Sequence, residues 1–356
     1  MNLDYSDLFK NTPFSMAQKK KEIWFLERMK ILCDHHYKYC LQYRSLTEKV
    51  FQPFDKCDSL LDLSFVPANL FKKNNLKTVI TDSELKVFTS SGTSTNGKSK
   101  IFLDRKTALL QSRALEKIFS DVIPKGSKIF FIESPNILKG GTAFSARGAA
   151  VKGFYQFTRD PEFLLDINEE VNCDGLLKFI EDNPNERFVV FGFTSVIWDL
   201  FINKLLNKNI KISNNKGILI HGGGWKKLKD KEITRSAYNE LVQKTMGIKN
   251  IHNYYGMIEQ TGSIFLECEK GFFHPSIFSE VIIRNKNLDS CEVGEQGLIQ
   301  VLSLLPLSYP GHNLLTEDLG TIHGLDGCTC GRRGKYFLVE GRVEGTELRG
   351  CSDVGS

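Results

Sequence analysis

The feature that most restricts the fold of this sequence is a series of short apolar runs separated by helical segments. Strand-like runs are LKVFTSS from residue 85, KIFFIES from 128, RFVVFGF from 187 and GILIHGGG from 217. Strands that alternate with helices indicate an α/β core built on a largely buried sheet. Asp104 predicts the start of a helix that ends near residue 121. Residues 15–47 predict another helix, with Ser15 and Gln18 arranged as a capping box.

The pattern changes beyond about residue 256, where the chain breaks into short β runs separated by Gly, Asn and Asp. This change predicts a smaller β-rich subdomain after the α/β core. The predicted organisation has four parts, which are a helical and irregular segment 1–84, an α/β core 85–256, a β-rich subdomain 257–340 and a short tail 341–356.

Composition excludes several classes of protein. Hydrophobic residues make up 41% and charged residues 25%, which excludes general disorder. A run of about 18 apolar residues is missing, so no transmembrane helix is expected. The net charge of +5 is too small to indicate a nucleic-acid partner. Nine cysteines without a secretory signal predict a cytoplasmic protein rather than a disulfide scaffold.

A loop rich in hydroxyl groups, glycine and lysine, TSSGTSTNGKSK, follows the first apolar run. Its hydroxyls, backbone N–H groups and lysines suit the oxygens of a polyphosphate, and glycine permits close backbone approach. The spacing also satisfies a Walker A pattern, although the preceding Thr-Ser-Ser favours a different phosphate loop. A flexible surface loop is the alternative. The candidate phosphate contacts are Thr89, Ser90, Ser91, Gly92, Thr93 and Ser94, with Lys98 or Lys100 as the cation.

Two pairs of sulfur and nitrogen donors form a second constellation. They are Cys268 with His274, and Cys328 with Cys330. Thiolate and imidazole ligands favour Zn²⁺ over Mg²⁺ or Ca²⁺, and two donors from each of two turns complete a tetrahedron. Four protein ligands leave no open position, so the sequence predicts a structural zinc site. Unliganded cysteines with a surface histidine are the alternative.

Further motifs appear in an order that resembles the adenylate-forming enzymes of the acyl-CoA synthetase superfamily. After the phosphate loop come GGG at 222–224, YYGMIE at 254–259, TED at 316–318 and GR at 341–342. The resemblance implies that the glycines lie on adenine and that the aspartate holds the ribose hydroxyls. It therefore makes the segment 85–256 an ATP-binding core. The implied nucleotide contacts are Gly222, Gly223, Gly224, Tyr255, Gly256, Met257, Asp318 and Arg342.

The chemistry of acyl-adenylate formation agrees with this resemblance. A carboxylate attacks the α-phosphate of ATP, and because both are anions, positive charge and Mg²⁺ must offset their repulsion. The resemblance implies that Glu259 contacts Mg²⁺. Ile258 stands where most members of the superfamily carry threonine, so one expected AMP contact is absent. Solvated surface acids are the alternative for Glu259 and Asp318.

The segments YYGMIEQTGSIFLEC, HGGGWKKL and ELRGC are more similar to the LuxE-type acyl-protein synthetases, the ligase component of bacterial luminescence fatty-acid reductase. Fourteen residues follow Arg342, whereas enzymes that make acyl-CoA usually carry a further domain there. The resemblance implies that Cys351 accepts the acyl group as a thioester. It also implies a protein acyl acceptor such as an acyl reductase or a carrier protein.

The sequence therefore predicts an ATP-dependent acid–thiol ligase that activates a carboxylic acid, with a fatty acid favoured, and transfers it to a protein cysteine. Two alternatives stay open. The first is an acid–CoA or acid–carrier-protein ligase of the same superfamily, in which Cys351 plays no part. The second is a non-catalytic nucleotide-binding subunit, which the loss of threonine at Ile258 keeps open.

Overall fold

The computed structural model describes residues 5, 7–51, 53–78, 85–90, 98–138, 146–158, 160–212, 214–224 and 233–343. Its α-helices are α1 Gln18–Tyr39, α2 Leu41–Val50, α3 Leu70–Lys73, α4 Arg105–Phe119, α5 Ala146–Phe154, α6 Asp174–Asp182, α7 Thr194–Val196, α8 Asn203–Asn207 and α9 Arg235–Met246. Its strands are β1 Val66–Pro67, β2 Lys86–Thr89, β3 Lys100–Leu103, β4 Lys128–Ile132, β5 Glu162–Phe163, β6 Phe188–Phe193, β7 Gly217–Gly222, β8 Asn250–Tyr255, β9 Phe265–Glu267, β10 Phe273–His274, β11 Ser279–Arg284, β12 Gln296–Ser303, β13 Asn313–Leu325 and β14 Lys335–Arg342.

The predicted helix over 15–47 is two helices, because Cys40 breaks it with an extended backbone at φ −129° and ψ 100°. The predicted capping box is wrong. The Ser15 hydroxyl donates to the carbonyl of Thr12 at 3.0 Å and does not cap α1. The cap comes from far along the chain, since the carboxylate of Asp326 accepts the backbone N–H of Gln18 at 3.0 and 3.1 Å.

The chain forms two compact units. The second comprises Ser90–Thr93, Phe119–Tyr254 and Leu348–Ser356. Within it, β4 to β8 form a parallel sheet in the order β8-β7-β6-β4-β5. Every residue of β6 and β7 is buried, as expected for a parallel sheet that is covered on both faces. The strand-like runs from 128, 187 and 217 are therefore confirmed as β4, β6 and β7.

The first unit comprises Met1–Thr89, Ser94–Ile118 and Tyr255–Glu347. Its main strands run in the order β11-β12-β13-β14-β10-β9 and pair antiparallel, with β1 parallel to β13. Strands β2 and β3 form a separate antiparallel hairpin. The predicted change to short β runs beyond residue 256 is thus confirmed.

The compact units and the four predicted segments have different bounds. The first unit groups the whole N-terminal segment 1–84 with the β-rich strands, and it takes in residues 85–89 and 94–118 of the predicted α/β core. The segments divide the chain by composition, whereas the units divide it by packing. Within the described residues, no helix combines the length and the apolar character needed to cross a membrane.

Candidate active site and metal centre

An aspartate and an arginine on neighbouring strands form the centre of the candidate nucleotide site. Asp318 on β13 lies opposite Arg342 on β14 in the strand register. The Nε atom of Arg342 donates to Oδ1 of Asp318 at 2.6 Å. The side chains are 15% and 24% exposed, so a ligand can reach both. The pairing brings together two of the residues that the resemblance assigned to nucleotide binding.

Tyr255, the last residue of β8, contacts the same carboxylate from another side. Its hydroxyl donates to Oδ2 of Asp318 at 2.6 Å. Burial raises the pKa of the Tyr255 phenol well above its ordinary value, and the negative charge of Asp318 raises it further. The phenol therefore stays protonated and remains a donor. The backbone N–H of Asp318 bonds the hydroxyl of Thr316 at 3.1 Å, a contact that the sequence motif did not predict.

Glu259 lies in a single 3-10 turn, Ile258–Gln260, and its side chain is buried. The neighbouring Gln260 fixes this turn, because its amide nitrogen donates to the carbonyls of Val301 at 2.9 Å and Gly311 at 2.8 Å. Gln260 is not among the residues that the sequence predicted for this site. Its only sequence signal is its place directly after the motif glutamate.

The phosphate loop connects two antiparallel strands, and helix α4 begins only after the second of them. Thr89 and Lys100 are register partners at the end of this hairpin. Lys98 and Lys100 are both exposed, and Ser90 follows Thr89 directly. The remaining predicted contacts, Ser91, Gly92, Thr93 and Ser94, lie outside the described residues.

The glycine segment 222–224 lies at the carboxyl end of β7 in the second unit. A Cβ on Gly222 would come within 2.4 Å of the ring of Tyr254, and Gly223 has a φ of +77°. Both positions therefore require glycine. The hydroxyl of Thr194 donates to the carbonyl of Gly222 at 3.2 Å and contacts Nδ1 of His221 at 2.9 Å. Gly223 and Gly224 are exposed, so their backbone is accessible to a ligand.

The four predicted metal ligands come together in the first unit. Their donor atoms all lie within 4.8 Å of one another. The Sγ atoms of Cys268 and Cys328 are 3.9 Å apart, and Sγ of Cys330 is 3.5 Å from Nε2 of His274. Tetrahedral zinc, with Zn–S of about 2.3 Å and Zn–N of about 2.0 Å, places sulfurs about 3.8 Å apart and sulfur about 3.5 Å from nitrogen. The geometry of the donors thus fits a zinc ion.

The surroundings of this cluster also suit a metal. Burial lowers the pKa of the His274 imidazole to about 3, so the ring is neutral and can offer a lone pair. The backbone N–H of Arg332 donates to Sγ of Cys330 at 3.4 Å. Gly271 and Gly331 have φ values of +86° and +85°, which lets each turn fold back on its ligands.

Five cysteines outside the metal cluster lie within the described residues. Four of them are buried, as expected for cysteines that serve packing, and these are Cys33, Cys40, Cys57 and Cys173. Cys291 is half-buried. Cys351, the predicted acyl acceptor, lies outside the described residues.

The fold is that of the adenylate-forming ligases. A structure of 2-hydroxyisobutyryl-CoA ligase in an open conformation with 2-HIB-AMP and CoA matches with a TM-score of 0.70 and 13% identity, over 93% of this chain and 77% of that one. The same ligase in its postadenylation state with 2-HIB-AMP matches with a TM-score of 0.71 and 15% identity, over 93% and 69%. The predicted fold class is confirmed.

This chain belongs to the acyl-protein synthetase, LuxE, family, whose profile matches residues 3–356. A relative from Vibrio harveyi, named long-chain-fatty-acid–luciferin-component ligase, is 23% identical over 355 residues, which cover 97% of this chain and 90% of the relative. A protein of the same name from Aliivibrio fischeri is 22% identical over 327 residues, covering 85% and 82%. The predicted family and enzyme class are confirmed.

Proposed function

We propose that this protein is an ATP-dependent ligase that activates a long-chain fatty acid and transfers it to a protein cysteine. The observation that carries the proposal is the family match over residues 3–356, together with a carboxylate at Asp318 that two donors orient. The name of the two relatives supports a fatty acid as the substrate. Adenylate-forming ligases use ATP with Mg²⁺, and we assign both to this chain.

In the first half-reaction, a carboxylate oxygen of the acid attacks the α-phosphorus of ATP. A P–O bond forms to the acid, the bond to the β-phosphate breaks, and pyrophosphate leaves with the electron pair. Asp318 accepts hydrogen bonds from the ribose hydroxyls, and the resemblance to the adenylate-forming enzymes assigns adenine to the glycines at 222–224. The hairpin loop that begins at Thr89 holds the phosphates, with Lys98 or Lys100 offsetting their charge.

Glu259 is the residue that would hold Mg²⁺, which supplies positive charge against the phosphates when it is bound. A carboxylate is the hard oxygen ligand that Mg²⁺ prefers. The turn that carries Glu259 is buried, and Gln260 fixes it, so the backbone from which this carboxylate extends is held in place. A carboxylate that is already in position does not have to reorganise when Mg²⁺ binds.

In the second half-reaction, the thiolate of Cys351 attacks the acyl carbon. A C–S bond forms, the C–O bond to AMP breaks, and AMP leaves, while the thiol proton passes to solvent. The adenylate is a good leaving group, which suits a thiolate nucleophile. A partner protein, such as an acyl reductase or a carrier protein, then takes the acyl group from this thioester.

We also infer a structural zinc ion at Cys268, His274, Cys328 and Cys330, on the strength of their donor distances. Purified protein should contain about one zinc per chain, and Cys328→Ser should lose it. Cys291→Ser is the matched control, since Cys291 is a half-buried cysteine outside the cluster. Zinc-free protein with an unchanged unfolding midpoint would contradict the inference.

Acid-dependent ATP–pyrophosphate exchange across fatty acids of different length tests the first half-reaction. Incubation with ATP and a radiolabelled fatty acid tests the second, because it should label the unmodified protein and Cys291→Ala but not Cys351→Ala. The Cys351→Ala protein should still catalyse exchange. Labelling that persists in Cys351→Ala would rule out this cysteine, and acyl-CoA formation independent of Cys351 would favour an acid–CoA ligase.

A further inference from the structure

One carboxylate in the candidate nucleotide site is held by two donors from the protein itself. Oδ2 of Asp318 accepts from the hydroxyl of Tyr255 and Oδ1 accepts from Nε of Arg342, each at 2.6 Å. A carboxylate offers about four acceptor positions, two on each oxygen. Among the described residues, the two donors occupy one position on each oxygen, which leaves one on each oxygen for a ligand.

Tyr255 is itself held in place by aromatic side chains. Its ring centroid lies 5.8 Å from that of Phe265 and 6.5 Å from that of Phe337. On the other side of the contact, Thr316 accepts the backbone N–H of Asp318 at 3.1 Å. Packing thus fixes the phenol, and the strand fixes the backbone of the aspartate. The carboxylate is oriented by groups that cost no reorganisation when a ligand binds.

We propose that Tyr255 is a positioning residue that gives this site its selectivity for a ribonucleotide over a nucleotide without the 2′ and 3′ hydroxyls, acting through Asp318. The inference rests on the proposed function, in which Asp318 accepts hydrogen bonds from the ribose. A 2′,3′-diol needs both remaining acceptor positions at once, and this requires a fixed carboxylate plane. Without the Tyr255 hydroxyl, Arg342 is the one side-chain donor left to the carboxylate within the described part of the chain, and the carboxylate can then rotate about its Cβ–Cγ bond.

A nucleotide that lacks both hydroxyls makes no use of this orientation, so its binding should not depend on Tyr255. This difference separates a positioning role from a structural one. The test is ATP–pyrophosphate exchange with ATP and with 2′,3′-dideoxy-ATP, measured for the unmodified protein and for Tyr255→Phe. The matched control is Tyr37→Phe, which removes a phenol–carboxylate hydrogen bond to Glu48 outside the site.

Tyr255→Phe should raise the KM for ATP about tenfold, the size expected for losing a hydrogen bond to a charged group, and change kcat by less than about twofold. The KM for 2′,3′-dideoxy-ATP should stay unchanged, so the selectivity for ribose falls by the same factor. Tyr37→Phe should match the unmodified protein. Arg342→Lys removes the guanidinium that donates to Oδ1 of Asp318 while keeping the positive charge. It should also reduce the selectivity for ATP over 2′,3′-dideoxy-ATP.

An unchanged ratio of the two KM values in Tyr255→Phe would overturn the inference and leave the proposed function standing. An equal rise for both nucleotides would also overturn it, because that result describes a structural role. Absence of acid-dependent exchange in the unmodified protein would overturn the proposed function, and this inference with it. Thermal unfolding of each variant shows whether the protein being assayed is folded.

Discussion

Asp326 lies in a turn far away in sequence from α1, and its side chain fixes the first turn of that helix. Removing this side chain should lower the free energy of unfolding. Both carboxylate oxygens accept the backbone N–H of Gln18, at 3.1 and 3.0 Å, and Oδ1 also accepts the N–H of Gly334 at 2.8 Å. The residue has a φ of +58°, in the left-handed region. Three separate contributions to stability therefore meet at one side chain.

The expected cost of Asp326→Ala is the sum of these contributions. Losing a helix N-cap costs about 1 kcal/mol. Leaving the N–H of Gly334 without its acceptor costs about 1 kcal/mol or more. Alanine at a positive φ adds about 1 kcal/mol of strain. The free energy of unfolding should fall by about 3 kcal/mol in total. Asp326→Gly should be about 1 kcal/mol less damaging, because glycine adopts this φ without strain.

Asp326→Asn is the conservative control, since asparagine tolerates the left-handed region and keeps one acceptor oxygen. Urea unfolding gives the change in stability for each variant. Hydrogen–deuterium exchange of the peptide spanning residues 18–25 reports the first turn of α1 directly. An Asp326→Ala protein within about 0.5 kcal/mol of the unmodified one, with unchanged exchange, would refute the reasoning.

Three further outcomes are expected. Arg147→Met should lower the free energy of unfolding by about 3–5 kcal/mol, because it leaves the buried carboxylate of Glu133 without its partner. In the unmodified protein, Nε and Nη2 of Arg147 donate to the two oxygens of that carboxylate at 2.8 and 2.5 Å. Equal urea midpoints for the two proteins would contradict this prediction. His36 and His312 stack at 4.5 Å, and burial lowers the pKa of His36 well below its usual value and that of His312 to about 3. Unfolding exposes both rings, which then take up protons below about pH 6.5. The free energy of unfolding should therefore be highest above that pH and should fall by about 1.4 kcal/mol per ring for each pH unit toward pH 3. Urea midpoints at pH 7 and pH 5 measure this fall. A strong chelator should release zinc and lower the unfolding midpoint of the unmodified protein but not of Cys328→Ser, as a zinc-sensitive dye and calorimetry will report.

Much of the fold was predictable because the signals are local. The uniform apolar character of KIFFIES, RFVVFGF and GILIHGGG reflects burial on both faces of a parallel sheet, and these runs are β4, β6 and β7. Asp104 was predictable for the same reason, because it caps α4 through the nearby N–H of Thr107 at 2.7 Å. The capping box at Ser15 failed because an acceptor 308 residues away took its place.

For the candidate metal and nucleotide sites, too, the sequence determined one part and the tertiary structure the other. The sequence by itself determined which residue types were available, since thiolates and imidazole imply zinc, and an ordered set of motifs implies a nucleotide. Only the tertiary structure decided that the four predicted metal ligands meet within 4.8 Å of one another. It also decided that Tyr255 and Arg342 donate hydrogen bonds to different oxygens of the Asp318 carboxylate. The chemistry of each residue follows from the sequence alone. The distance between the side chains of Tyr255 and Asp318, which are 63 residues apart, depends on how their strands pack.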